Sequence, residues 1–263
     1  MPENIPLKNP VVLVHGIVAH DRISIVNFWG RIPEVLANRG IKVFLGNTDA
    51  WGDYETNALT LKKTIENILL ETKSEKVNII AHSKGGIDSR YLIWKYGFGD
   101  KTASLTTICT PHHGSEIADL IYSQKITHTK LAKKALKIFG ELYGDTNPDL
   151  YNVNYQLTTA KMEEFNKKIV MDNRVFFQSL YTTMDNAFDD VMFFYTYLYV
   201  KKIGGKNDGI VSESSAKWGN NTVKIAGGIS HAEILDVKMK RISGINIPEI
   251  YVKIAEGLSM NNC

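Results

Sequence analysis

The chain has 263 residues, of which 44% are hydrophobic and 22% charged, which is enough apolar material for one large α/β domain or two small ones. Its formal net charge of +3 is too small to indicate a nucleic-acid partner. No stretch approaches the ~18 consecutive apolar residues of a membrane span. Residues 1–8 lack the apolar core of a signal peptide, so we expect a cytoplasmic protein, or a secreted one whose signal has been replaced by Met1.

The two cysteines give no sign of a disulfide framework. Cys109 ends the apolar run 105–109, which predicts a buried structural thiol, and Cys263 is the last residue. A bond between the two is the alternative. In either case we expect a fold that does not depend on an oxidising compartment.

Apolar strands alternate with helical patterns over the first 110 residues. Strands are predicted at 10–16, 41–45, 77–82 and 104–109, and helices at 32–38, 59–72 and 87–96. The first strand is apolar at every central position, as in strands buried on both faces of a parallel sheet. This alternation predicts βαβ units and a mostly parallel, doubly wound α/β sheet. Polar groups that follow the strands should then meet at the carboxyl edge of the sheet, where such folds place their sites.

The alternation breaks after Gly114, and residues 115–170 carry helical patterns with little strand signal. Strands resume at 174–181 and 222–226, and a helix at 248–258 closes the chain. We therefore expect one domain, 1–263, with a helical insertion at about 115–170. The aromatic run 193–199 predicts hydrophobic core, with the lining of an acyl pocket as the alternative.

Residues 77–86 indicate the chemistry. An apolar strand ends at Ser83 and a helical pattern follows at once, with Ala81 and Gly85 two positions on either side. A serine in such a turn takes a strained backbone conformation, and only small residues fit two positions away. The pattern Ala-x-Ser-x-Gly therefore predicts the nucleophile elbow of an α/β-hydrolase fold, with Ser83 as the nucleophile.

A serine hydroxyl needs a general base, and hydrolases of this plan order the residues as Ser, then Asp or Glu, then His along the chain. His231 follows the last predicted strand and a Gly-Gly turn, where the base belongs. Asp208, in an Asn-Asp-Gly turn before it, fits the acid, although such turns are common without a role. Other candidates fit less well by position: His112, His113, His128, Asp189, Asp190 and Asp236.

The oxyanion hole needs two backbone amides near the nucleophile. One belongs to Lys84, the residue after the serine, and Ile17 in the loop after the first strand fits the other. Each such donor stabilises a transition state by ~2.7–4 kcal/mol. Since the amide of Lys84 is sufficient, no role is predicted for its side chain.

These motifs resemble the bacterial triacylglycerol lipases of family I. The resemblance rests on residues 13–16, 81–86, 110–115, 157–160 and 207–212, in order over most of the chain, and Thr-Pro-His-x-Gly-Ser is the most specific element. It implies a catalytic triad of Ser83, Asp208 and His231, with the amides of Ile17 and Lys84 as the oxyanion hole. It also implies a fatty-acyl ester substrate, and a lid at 115–170 that touches a lipid interface. Independently, the insertion carries an apolar stripe beside lysines, which suits such a helix or a surface helix packed on the core: Leu131, Ala135, Ile138 and Leu142.

The resemblance further implies a structural calcium ion, held by an aspartate two residues after the catalytic histidine and by another upstream of the acid. Here the first position is Glu233, and the upstream candidates are Asp185, Asp189 and Asp190. A longer carboxylate changes the geometry, so no cofactor is required and calcium is only an expectation. The disulfide that many relatives carry has no cysteine pair here.

A zinc site is the other metal alternative. Several histidines lie near predicted strand ends, but no Cys/His spacing of the finger or zincin type is present. Hydrogen-bonded structural histidines are therefore the simpler interpretation of this set: His15, His82, His112 and His113.

Together, the residues and the resemblance predict a lipase-like serine carboxylic-ester hydrolase that acts through an acyl-enzyme. One alternative is a short-chain carboxylesterase without interfacial activation, and another is a non-catalytic binding module on the hydrolase fold. Phospholipase, thioesterase and transacylase activities would use the same three side chains.

Overall fold

The computed structural model describes residues 3–17, 28–124, 129, 137, 141 and 145–263. Six strands form one sheet in the order β2-β1-β3-β4-β5-β6, and every neighbouring pair is parallel. The predicted parallel, doubly wound sheet is confirmed. The strands are β1 Val11–Val14, β2 Val43–Leu45, β3 Val77–His82, β4 Thr102–Ile108, β5 Phe176–Thr183 and β6 Thr222–Gly227.

Helices connect the strands and cover both faces of the sheet. Several begin earlier than their apolar periodicity predicts; α2, for example, starts at Tyr54 because the Asp53 side chain caps it by accepting from the Thr56 amide at 2.7 Å. Described helices are α1 Ile32–Ala37, α2 Tyr54–Thr72, α3 Lys84–Lys95, α4 Glu116–Ser123, α5 Leu150–Gln156, α6 Thr159–Lys168, α7 Phe194–Gly204, α8 Glu213–Ala216 and α9 Ile247–Met260.

The two faces of the sheet bury separate cores, because alternate residues of a strand point in opposite directions. Val11 and Leu13 pack with α1 and α9, where Tyr251 is fully buried. Val12 and Val14 pack on the other face with α2 and α3. An all-apolar β1 is the sequence signature of this double coverage.

The chain reverses its direction of travel across the sheet at β1. From β1 it crosses to β2 on one side, and it then returns past β1 to β3 on the other. Crevices at the carboxyl ends of strands beside such a reversal are the usual binding sites of doubly wound sheets. The loop after β1 and the turn after β3 therefore meet at this point.

The described parts of the predicted insertion are helical. Helices α4, α5 and α6 bury a third apolar cluster against α3 that includes Met162 and Phe165. Residues 125–128, 130–136, 138–140 and 142–144 lie outside the described residues, and with them His128 and the apolar stripe from Leu131 to Leu142. Across the part of the chain that is described, no helix combines the length and apolar character needed to cross a bilayer.

The aromatic run 193–199 begins at the last residue of a 3-10 turn, Phe193, and continues into the start of α7 at Phe194. Tyr197 is buried there, but Tyr195 and Leu198 are exposed. The prediction that this run is hydrophobic core is therefore wrong for its outer face.

Candidate active site

Ser83 lies in the turn between β3 and α3, in a backbone conformation that residues other than glycine rarely adopt. Its φ is 54° and its ψ is −130°. Its carbonyl oxygen accepts from the Thr110 hydroxyl at 2.8 Å, which ties the turn to the end of β4. A β-carbon built on Gly85 would lie 2.5 Å from the carbonyl oxygen of His15, so this position requires glycine. The turn has the features of the predicted nucleophile elbow.

A chain of two hydrogen bonds links the three predicted catalytic side chains. His231 Nε2 lies 3.0 Å from Ser83 Oγ, and His231 Nδ1 lies 2.7 Å from Asp208 Oδ2. All three residues are buried. With Nδ1–H donating to the carboxylate, Nε2 carries the lone pair that accepts from the serine hydroxyl.

The turn around Asp208 fixes its carboxylate for this contact. The second oxygen, Oδ1, accepts from the amides of Ile210 at 3.0 Å and Val211 at 2.8 Å. The His231 amide also donates to the Asp208 carbonyl oxygen at 2.8 Å, so the two loops are joined by backbone as well as side chain. Asp236, a candidate set aside on position, is instead paired with Arg31 at 2.7 Å.

His82, which precedes the nucleophile, contacts His231 and holds its backbone in place. Its Nε2–H donates to the His231 carbonyl oxygen at 3.0 Å, and the two rings lie 4.6 Å apart. Burial, and then the neighbouring His231, hold the pKa of His82 well below its ordinary value, so the ring is neutral. The backbone of His231 is thus held at both its amide and its carbonyl.

The two predicted oxyanion donors belong to residues that follow the nucleophile in the chain or adjoin a residue packed against it. Lys84 is the first residue of α3, where helix amides have no intrahelical acceptor. Ile17 follows Gly16, whose backbone passes so close that an added β-carbon would lie 2.6 Å from Ser83 Cβ. Glycine at this position lets the loop after β1 approach the serine.

The Lys84 side chain has a role that we did not expect from the sequence. Its Nζ lies 2.7 and 2.9 Å from the carboxylate oxygens of Asp88, and both side chains are buried. Asn57 of α2 donates to the same carboxylate at 2.9 Å and bonds the backbone of Asp49 in the loop after β2. This network anchors the start of α3 to α2.

Cys109 lies directly against the triad. It is a free, buried thiol, as predicted, and so is Cys263, so the alternative disulfide is not formed. Burial and the negative charge of Asp208 raise the pKa of Cys109 well above its ordinary value, so the thiol stays protonated. Over the described ranges, one group of three potential metal ligands converges within 4.8 Å, and it consists of Cys109 and two triad members, Asp208 and His231.

Two of the carboxylates named for calcium, Glu233 and Asp190, are already paired with a lysine. The Lys238 ammonium lies 2.6 Å from Glu233 Oε1 and 3.5 Å from Asp190 Oδ2, where a metal would have to bind. Ser230 joins the same two residues, since its amide donates to Glu233 and its hydroxyl to Asp190. Calcium takes six to eight oxygen ligands, whereas these oxygens already have donors. A lysine thus supplies the positive charge beside the His231 loop.

The histidines weighed for zinc hold backbone and side chains instead of meeting one another. His15 Nε2 bonds the Thr48 carbonyl oxygen at 3.0 Å, and the exposed His113 bonds the Lys217 carbonyl oxygen at 3.1 Å. His112 bonds the Thr107 hydroxyl at 2.9 Å. These contacts agree with the structural interpretation of the set.

A buried arginine stabilises the Thr-Pro-His turn after β4. Arg90 donates to His112 Nδ1 at 3.2 Å and to the Asn166 side chain at 2.8 Å. Its guanidinium lies 3.9 Å from the ring centre of Trp218, which stacks on His112. Burial lowers the pKa of Arg90 to about 9.

Comparison with known proteins agrees with this geometry. The family model described as "alpha/beta hydrolase fold" matches residues 9–130. The chain has the α/β-hydrolase fold. It superposes on the crystal structure of Staphylococcus hyicus lipase with a TM-score of 0.79 at 17% identity, over 98% of this chain and 97% of that one.

Curated relatives of this α/β hydrolase are named as lipases. It is 26% identical to triacylglycerol lipase 2 of Saccharomyces cerevisiae, over 89% of this chain and 82% of the yeast protein. It is 33% identical to a triacylglycerol lipase of Pseudarthrobacter phenanthrenivorans, over 61% of this chain and about half (53%) of that protein. The resemblance to bacterial triacylglycerol lipases is confirmed.

Three contacts that hold the elements around the triad were not predicted from the sequence. The spacing of four between Lys84 and Asp88 is visible in the sequence, but exposed helical pairs share it. His82 adjoins the nucleophile, which could have marked it as a contact of the base. Lys238 follows Glu233 at a spacing that carries no recognisable pattern.

Proposed function

We propose that this protein is a serine carboxylic-ester hydrolase of the lipase type, acting on acylglycerols or other fatty-acyl esters. The observation that carries the proposal is the unbroken hydrogen-bonded chain from Asp208 through His231 to Ser83, at 2.7 and 3.0 Å. The lipase names of the relatives in yeast and bacteria support the substrate class.

The geometry supports an acyl-transfer mechanism. His231 Nε2 takes the proton of Ser83 as its Oγ attacks the ester carbonyl carbon, and Asp208 stabilises the imidazolium that forms. The tetrahedral oxyanion accepts from the amides of Ile17 and Lys84. Collapse of this intermediate expels the alcohol, which receives the proton from His231, and leaves an acyl ester on Ser83.

Water completes the cycle in the same site. His231 removes a proton from a water molecule that attacks the acyl carbon, and it then returns the proton to Ser83 as the carboxylic acid leaves. The contact with His82 preserves the orientation of the imidazole through both steps.

Substitution of the triad tests the proposal. With a soluble p-nitrophenyl ester we expect Ser83→Ala and His231→Ala to lower kcat/KM by roughly 10³-fold or more. His113→Ala is the matched control, because the His113 side chain is exposed and bonds the Lys217 carbonyl oxygen, and the activity of this variant should equal wild type. Near wild-type rates in either triad variant would refute the assignment.

Covalent labelling and substrate profiles separate the alternatives. A fluorophosphonate should label Ser83 in the folded protein, whereas a binding module would remain unlabelled. A lipase should accept long acyl chains and gain activity when its ester exceeds its solubility. A short-chain carboxylesterase should show neither property.

A further inference from the structure

The segment between β5 and Asp208 is packed against the candidate site on its inner side. It consists of a loop, a 3-10 turn Val191–Phe193 and helix α7. Phe193 contacts Gly209, the neighbour of the acid, so closely that a β-carbon there would lie 2.6 Å from Phe193 Cβ. Asn207 donates to the Tyr197 carbonyl oxygen at 3.3 Å. The segment therefore lies at the carboxyl edge of the sheet, beside the acid.

The outer side of the same segment is apolar and exposed. Four large side chains of this segment are 74–84% exposed, although large apolar side chains are usually buried, and Leu198 is 46% exposed beside them. We call these five residues the aromatic ridge: Phe188, Val191, Met192, Tyr195 and Leu198.

The aromatic ridge is contiguous. The ring of Phe194 lies 5.3 Å from that of Phe188 and 5.3 Å from that of Tyr195. Tyr195 and Leu198 are three residues apart on α7 and share one face of it, and Val191 and Met192 lie in the 3-10 turn directly before this helix. Together the ridge side chains expose several hundred Å², which marks an interaction surface rather than scattered apolar residues.

The aromatic ridge is also held in place. Asp190 caps the 3-10 turn by accepting from the Met192 amide at 3.3 Å, and its other oxygen accepts from the Ser230 hydroxyl at 2.7 Å. Ser230 adjoins His231, so the ridge and the base share one support. A surface bound by the ridge would therefore lie at a fixed position relative to the site.

Lysines lie at one end of the ridge. Lys201 and Lys202 are exposed in the last turn of α7, and Lys206 is exposed just beyond it. At the opposite end, the Asp189 carboxylate accepts from the amides of Asp185 and Asn186 within its own loop. Apolar side chains beside lysines match a lipid surface that carries negative charge, because the apolar groups enter the acyl boundary while the cations meet the headgroups.

We propose that the aromatic ridge docks this enzyme on an anionic lipid–water interface. The proposal rests on the proposed function, since docking there would bring the Ser83 edge of the sheet towards an ester in that interface. The ridge lies outside residues 115–170, so it is a second contact, distinct from the lid that the sequence predicts.

Vesicle binding tests the ridge without turnover. In a Ser83→Ala background, we expect the protein to co-sediment with phosphatidylcholine vesicles that contain phosphatidylglycerol, and less with phosphatidylcholine alone. The triple variant Val191→Ser, Met192→Ser, Tyr195→Ser should lower the partition coefficient roughly ten-fold or more. Because these side chains are exposed, the triple variant should keep the thermal stability of its parent.

A matched control removes equally exposed apolar groups elsewhere. Leu70 on α2 and Met260 on α9 are 78% and 80% exposed, and Leu70→Ser, Met260→Ser should bind vesicles like its parent. With Ser83 intact, the ridge triple variant should hydrolyse a soluble short-chain ester at the wild-type rate and a dispersed long-chain ester more slowly. Vesicle binding by the triple variant equal to its parent would overturn the proposal.

Two further outcomes are informative. If the parent forms a dimer that the triple variant does not, and vesicles do not bind, the ridge is an interface between copies and the lipid proposal is wrong. If vesicles bind through the ridge but wild-type protein hydrolyses no ester, the proposed function fails while the docking surface stands. If wild-type protein hydrolyses esters but the Ser83→Ala parent does not bind vesicles, the docking proposal fails while the proposed function stands.

Discussion

Replacing Lys84 with methionine would leave the Asp88 carboxylate buried with the Asn57 amide as its remaining described donor. The lysine Nζ lies 2.7 and 2.9 Å from the two carboxylate oxygens, and neither side chain is more than 3% exposed. Removal of one partner of a buried pair costs about 3–5 kcal/mol, because the other charge loses its compensation. That is a large fraction of a total stability of roughly 5–15 kcal/mol.

A double-mutant cycle measures this coupling. We expect Lys84→Met and Asp88→Asn each to lower the free energy of unfolding by about 3–5 kcal/mol, and the double variant to recover most of that loss because no charge remains to be desolvated. Urea unfolding followed by circular dichroism gives the free energies, and equal m-values confirm that the same transition is compared.

The chain contains its own control for this experiment. Lys62 and Glu66 have the same spacing of four residues and a 2.8 Å contact, but both are about one-third exposed on α2. Lys62→Met should therefore cost less than about 1 kcal/mol. If the effects of Lys84→Met and Asp88→Asn simply add, or if Lys84→Met costs no more than Lys62→Met, the buried-pair argument is refuted.

Three further predictions concern acid stability, the cation beside the base, and the elbow. Burial holds the pKa of His82 and His112 well below the ordinary value, so the folded protein keeps both rings neutral while the unfolded chain takes up protons below pH ~6.5. For each histidine, the free energy of unfolding should therefore be constant above pH ~6.5 and fall by up to about 1.4 kcal/mol per pH unit as the pH drops towards the folded pKa. Unfolding of His82→Gln and His112→Asn at a series of pH values measures this fall. Chelation by EDTA should leave the melting temperature unchanged, whereas Lys238→Met should lower it because Glu233 keeps a buried charge. Gly85→Ala should abolish hydrolysis of the soluble p-nitrophenyl ester, because the added β-carbon would lie 2.5 and 2.7 Å from two backbone oxygens.

Each of these predictions has a result that would contradict it. His82→Gln and His112→Asn should each reduce the loss of stability below pH ~6.5, and an unchanged loss in both variants would contradict the burial argument. A fall in melting temperature on chelation would restore calcium as the cation. Gly257→Ala should be tolerated, because a β-carbon there meets no atom within 4 Å; if Gly85→Ala is equally active, the close approach at the elbow is wrong.

Much of the sheet could be predicted because both of its faces are covered. A uniformly apolar run such as β1 indicates a strand that is buried on both faces of a parallel sheet. The small residues around Ser83 indicate the tight turn between the strand and the helix. Helix beginnings were less visible, since the cap at Asp53 adds a polar turn to α2 before its apolar periodicity starts.

Features that depend on what covers a residue could not be predicted. Lys84 and Lys62 have the same local sequence relationship to an acidic partner, and only the packing of α2 on α3 makes one pair buried and the other exposed. The apolar residues of α7 are similar: the sequence shows an apolar helix but not that Tyr195 faces outward. Lys238 meets Glu233 only through the fold of the last loop.

The hydrogen bond between Ser83 and His231 spans 148 positions of the chain. The nucleophile is formed by β3 and α3, but its base is carried by the loop after β6, which pairs at the far edge of the sheet. During synthesis, a ribosome that has released the first 220 residues would hold a nascent polypeptide with an elbow and no base. Ester hydrolysis therefore becomes available only after β6 has joined the sheet, and the onset of turnover reports that the loop after this strand has reached Ser83.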